Sequence, residues 1–143
     1  MLVLDASVLV KLFRAEDDSS TARELVRTGI TRGTGLLAPN LILYEMLSVA
    51  LHYEMSFEIP LMLLADMRDA GFMLVEPSVN ELLRAQQIAT SRHEGRRSPG
   101  LEDSIYHAIA IERGGTFVTA DSRHVERTAH FGHVTLLADW QPG

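Results

Sequence analysis

Short runs of uninterrupted apolar residues alternate along this chain with longer segments whose apolar positions recur every three or four residues. Met1 to Leu4 is apolar throughout, as a strand covered on both faces must be, and Asp5 ends it. Ser7 is placed to act as the N-cap of a helix from about Val8 to Phe13. Glu16, Asp17 and Asp18 read as a solvated turn. Ala22, Leu25, Val26 and Ile30 then anchor an amphipathic helix within Ser19 to Arg32. Gly33 and Gly35 break the chain before a second strand, Leu36-Leu37-Ala38, and Pro39 opens the next helical region. Leu41 to Leu51 is apolar on nearly every side. Ser56 to Ala70 keeps Leu61, Leu64, Ala65 and Met67 on one side and tolerates Pro60 in its first turn.

Phe72 to Val75 reads as a third strand, and Ser78 with Glu81 forms a capping box for a helix from about Val79 to Ser91. Leu101, Ile105, Ala108 and Ile109 follow the spacing of a core-facing stripe, with Asp103 pointing away from it. Gly114 and Gly115 provide the left-handed stop that ends this helix, and the strand Thr116 to Thr119 runs out into Asp121. A helix from Ser122 to His130 and a strand from Val134 to Leu137 complete the series, with Trp140 expected over a sheet edge. Short strands alternating with helices predict a parallel three-layer α/β/α fold, and 143 residues suit one domain over 1–143.

Composition narrows the chemistry. A formal net charge of -6 argues against a broad basic surface that holds nucleic acid, although an enzyme that binds phosphate through metal-bridged carboxylates can be acidic overall. With no cysteine, disulfides, thiolate metal sites and cysteine nucleophiles are excluded. The first residues show no basic segment leading into a long apolar one, and no apolar run approaches the roughly 20 residues of a membrane span, so a cytoplasmic protein is expected. Lys11 is the only lysine. One local basic patch stands out, where Arg92, His93, Arg96 and Arg97 precede the Asp103 helix, either as a solvated loop or as a clamp for phosphate.

Four carboxylates lack a local explanation: Asp5, Glu45, Asp103 and Asp121. Asp5 and Asp121 follow strands, and ligands of open α/β sheets bind beyond strand C-termini. Glu45 is the only charge in its helix, with Leu41, Ile42, Ser48 and Val49 at the positions where a salt-bridge partner would stand; a metal ion or a distant arginine would satisfy it. Acids brought together repel one another unless some bind protons or a cation intervenes. An all-oxygen set prefers Mg2+ or Mn2+ to zinc. His107, four residues after Asp103, could approach the same site, although a histidine on a helix is more often structural, and His124 shows no ligand spacing.

Asp5 in LVLDAS, Glu45 after APNLILYE, Asp103 in LEDSIYHAIAIERG and Asp121 in TFVTAD together resemble the PIN-domain nucleases, and particularly the VapC-like toxins of prokaryotic toxin–antitoxin pairs. Ser7 and Thr119 match the Asp-x-Ser/Thr and Thr-x-Asp positions of that pattern, while Ser48 stands where many relatives carry asparagine. The resemblance implies a five-stranded parallel sheet in the order 3-2-1-4-5. It further implies metal-dependent endonucleolytic cleavage of RNA, with Asp5, Asp103 and Asp121 holding Mg2+ or Mn2+, Glu45 completing the site or orienting water, and Ser7 and Thr119 orienting the acids. Family members usually dimerise, and toxin members bind an antitoxin; Leu41 to Leu51 and Ser56 to Ala70 are the expected contacts. A free-standing RNA-processing nuclease, or a binding module without catalysis, are the alternatives. A receiver-type or haloacid-dehalogenase-type phosphoryl-transfer site fits poorly, since Lys11 is early and no second Asp stands two residues after Asp5.

Overall fold

The computed structural model describes residues 1–92, 95 and 97–143. Its strands are β1 (Leu2–Leu4), β2 (Leu36–Pro39), β3 (Met73–Val75), β4 (Thr116–Thr119) and β5 (Val134–Leu136). They form one sheet, parallel at every pairing, in the order β3-β2-β1-β4-β5. Among the described residues the helices are α1 (Ala6–Val10), α2 (Ser19–Thr31), α3 (Leu41–His52), α4 (Glu58–Asp69), α5 (Val79–Ala89), α6 (Leu101–Arg113) and α7 (Ser122–Thr128). The last expected helix gives way to a single 3-10 turn at Ala129–Phe131, and another follows β5 at Leu137–Asp139.

Helices cover both faces of the sheet, which explains why the strands lack an alternating polar face. Val3, Leu4, Leu37, Phe117 and Val118 are buried, and the Tyr106 ring of α6 stacks on Phe117 with centroids 5.5 Å apart. Trp140 is half-buried and packs against this core. Leu101 departs from the expected stripe and is 56% exposed. It lies in the first turn of α6, ahead of the part that α5 and the sheet enclose; the buried face begins at Ser104.

One correction concerns a helix start. Helix α1 begins at Ala6, so Ser7 lies inside it and Asp5 occupies the N-cap position without a capping hydrogen bond from its side chain. By contrast, the Ser78–Glu81 capping box is complete. Helix α6 ends on Gly114 at φ 69°, and a Cβ on Gly115 would stand 2.7 Å from the Met1 carbonyl oxygen. Both glycines are therefore required where α6 turns into β4. That junction sets β4 beside β1 with Leu4 opposite Val118, and the strand order reverses at this pair. A crevice opens beyond the carboxyl ends of strands at such a switch point. No helix among the described residues is long and apolar enough to cross a membrane.

Candidate active site

Strand β1 is so short and so buried that the residue ending it cannot reach bulk water: Asp5 is 5% exposed. Burial raises the pKa of its carboxyl group, and two hydroxyl groups oppose that shift. Ser7 Oγ donates to Asp5 Oδ2 at 2.6 Å, and Thr119 Oγ1 donates to the same oxygen at 2.9 Å. Each hydroxyl also accepts a backbone N–H from the loop after β4, Ser7 from Ala120 at 3.0 Å and Thr119 from Asp121 at 3.1 Å. With a hydrogen bond accepted from the backbone, each hydroxyl proton is directed onto the carboxylate. The two relays lock Asp5 to the loop that carries Asp121.

Asp121 N-caps α7, its Oδ1 accepting from the amides of Arg123 at 2.9 Å and His124 at 3.4 Å. Glu45 comes from the middle of α3 and Asp103 from the first turn of α6. The partner that the local sequence did not supply to Glu45 is Tyr106, whose hydroxyl donates to Oε1 at 2.6 Å. Asp5, Glu45, Asp103 and Asp121 line one cleft of about 800 Å³, together with Ser7, Ser48, Lys11, Glu16, Glu102 and Tyr53. Glu45 is pushed up to about 7 by burial first and then by Asp5 and Glu102. Asp103 is also pushed up to about 7, by burial and then by Asp5, Asp121, Glu45 and Glu102. Glu45 and Asp103, held among other acids in a half-dry cleft, are thus about half-protonated near neutral pH.

Behind Asp103 lies a buried histidine pair. His107 Nε2 donates to the Gly132 carbonyl at 2.7 Å, and His107 Nδ1 stands 3.1 Å from His124 Nε2. Burial lowers the pKa of both rings, that of His124 to about 4, so both are neutral at pH 7. With a carbonyl as its partner, His107 Nε2 must carry the proton; His107 Nδ1 then accepts from His124 Nε2, leaving a lone pair on His124 Nδ1. That atom is buried without a hydrogen-bond partner, 4.0 Å from Asp103 Oδ2. His107 is therefore a core residue rather than one that faces the cleft.

The donor chemistry fits a hard divalent cation: the acids are oxygen ligands, they repel one another, and a positive charge among them would relieve the repulsion. They surround the cleft without closing on a point, since among the described residues no three His, Asp or Glu side chains form a ready-made cation site.

Some residues in or behind the cleft carried little signal in the sequence. Tyr106 had one, because it stands three residues after Asp103 and so shares its side of the helix. Glu16 is not merely part of a solvated turn; it pairs with Lys11 and Arg14 on the cleft wall. Arg92 and Arg97 line a separate shallow hollow with Gly95 and Ser98, apart from the acids. Arg96 and His93 lie outside the described residues.

A family model described as PIN domain matches residues 2–130. No curated protein matches the sequence. Among the solved structures that match is Mycobacterium tuberculosis VapC20, a sarcin–ricin loop cleaving toxin. The two share 14% identity at a TM-score of 0.68 over 94% of this chain and 97% of the other, a likeness of fold.

Proposed function

The chain belongs to the PIN-domain family, and from that premise we propose that it is a metal-dependent endoribonuclease and the toxin of a toxin–antitoxin pair. One observation carries the reading: four carboxylates from four separate segments line one cleft at the sheet's switch point, two of them with pKa values pushed to about 7. Such crowding is costly to a resting protein and becomes useful when a cation binds. Asp5, Asp103 and Asp121 would hold Mg2+ or Mn2+, with Glu45 completing the set. When bound, the ion supplies Lewis acidity and neutralises charge at the phosphodiester.

The protein's own groups divide the remaining work. Ser7 and Thr119 hold Asp5 in one orientation, and Asp121 is held by the amides at the start of α7. Glu45 has Oε1 occupied by Tyr106, which leaves Oε2 to take the proton of the attacking water. A pKa near 7 suits a general base that must both accept and release a proton at neutral pH. Arg92, Arg96 and Arg97 would meet phosphates of the strand beyond the cleft. Tyr44, Leu51, Phe57, Leu61 and Met62 are exposed on and between α3 and α4, which supports a second copy or an antitoxin covering that side. A single domain in the cytoplasm is consistent with this role.

The test is cleavage of a mixed RNA pool with Mg2+ or Mn2+, with EDTA, and by the Asp5→Asn variant. Cutting should require metal and should fall by at least a hundredfold in the variant, the scale expected when preorganised transition-state stabilisation is removed. Metal-dependent cutting that survives the substitution would remove Asp5 from the mechanism. An absence of cutting under every condition would favour a binding module.

A further inference from the structure

The cleft has a wall of the opposite sign. Helix α1 starts directly after Asp5, and its C-cap residue, Lys11, lines the same cleft about a turn and a half further on. Among the described residues Lys11 is the only cation lining it, against Asp5, Glu16, Glu45, Glu102, Asp103 and Asp121. Its side chain is 9% exposed, and an ammonium group that buried must have a counter-charge. Glu16 supplies it, with Oε2 at 2.8 Å from Lys11 Nζ. The second oxygen of the same carboxylate accepts from Arg14 Nη1 at 3.0 Å. The Arg14 guanidinium lies 3.8 Å over the ring of Tyr53, which also lines the cleft.

Two cations thus grip the two oxygens of one monoanion. The two non-bridging oxygens of a phosphodiester carry the same charge and accept charge-assisted hydrogen bonds at similar distances. Glu16 sits on the link between α1 and α2, outside any helix or strand, and its side chain is 29% exposed against 9% for Lys11, so the carboxylate is the more accessible partner of the pair. Arg14 has a second contact besides Glu16, the face of the Tyr53 ring. We propose that Lys11 and Arg14 form a subsite for an RNA phosphodiester next to the bond that is cut, and that the Glu16 carboxylate fills this subsite until a strand displaces it. The inference rests on the ribonuclease reading above. It gives an acidic protein a specific place to hold a polyanion beside its acids, and it makes Glu16 a competitor of the substrate.

The experiment is fluorescence anisotropy of a labelled single-stranded RNA with Mg2+, using the Asp103→Asn protein so that the strand is bound and not cut. Adding Lys11→Gln should weaken binding about tenfold, the loss expected for one charge-assisted contact, and should flatten the salt dependence by about 0.7 in log–log slope. Adding Glu16→Gln should tighten binding severalfold, while lowering the thermal midpoint of the free protein because Lys11 then lacks its counter-charge. A purely structural ion pair predicts the lower midpoint with no gain in affinity. Equal or weaker binding by the Glu16→Gln protein would therefore overturn the subsite while leaving the ribonuclease reading intact. Failure of the Asp103→Asn protein to bind RNA at all would count against that reading itself.

Discussion

Asp103 shows what this arrangement costs. Its carboxyl titrates near 7 in the folded protein and near 3.8 in an unfolded chain, so the folded state holds more protons between those values. Stability from this group is therefore fully present below about pH 4 and is lost as the pH rises through 7. Asp103→Asn should be more stable than the parent protein without metal, by about 1–2 kcal/mol at pH 8 once solvent screening of this part-exposed side chain is allowed for. The gap should close as the pH falls toward 4, and denaturant melts at several pH values would show it. A constant gap across that range would mean that the substitution acts through packing. At this scale the acids themselves were legible, because Asp5 and Glu45 sit in apolar surroundings with no neighbour to pair them. Their hydrogen bonds were less so: the resemblance implied that Ser7 and Thr119 orient the acids, but that Thr119 meets Asp5 across 114 positions and that Tyr106 reaches Glu45 across 61 only the fold decides.

The unit from α6 to β4 was legible as an element, since Gly114-Gly115 stops the helix and a β-branched run follows. The reason for the second glycine was not legible. Gly115 is required by the Met1 carbonyl, which accepts a hydrogen bond from Thr116 N at 3.1 Å where β1 and β4 begin to pair. Gly115→Ala would press a methyl group against Met1 and force the two strands apart at that end, for an expected loss of about 1–3 kcal/mol. The acids lie at the opposite end of the same strands, so cleavage per folded molecule should be preserved. Chemical denaturation beside an activity assay separates the two effects. Helix α1 shows where local signals mislead. Ser7 has the residue type of an N-cap, but its hydroxyl is drawn into the relay between Ala120 N and Asp5, and the helix starts two residues earlier than such a cap would allow.

Across the whole molecule, the four acids are carried by parts of the chain that meet only when the sheet and its helices assemble: the end of β1, the middle of α3, the start of α6 and the end of β4. A cation held by these groups would bind the folded chain and not the unfolded one, so metal affinity becomes folding stability. At a free ion concentration a hundredfold above the dissociation constant the gain is about 2.7 kcal/mol. For a chain of this size that corresponds to a rise in Tm of roughly 5–10 °C. The acids must shed protons to bind, and those of Glu45 and Asp103 come off near 7, so the rise should be small at pH 6 and approach its full size at pH 8. Asp103→Asn should start from a higher Tm in EDTA and respond less to Mn2+, so the order of the two proteins reverses as metal is added. That crossing is hard to produce by any route other than a cation relieving mutual repulsion among these carboxylates. Parallel melting curves in EDTA and in Mn2+, without a crossing, would detach the acid cluster from metal binding.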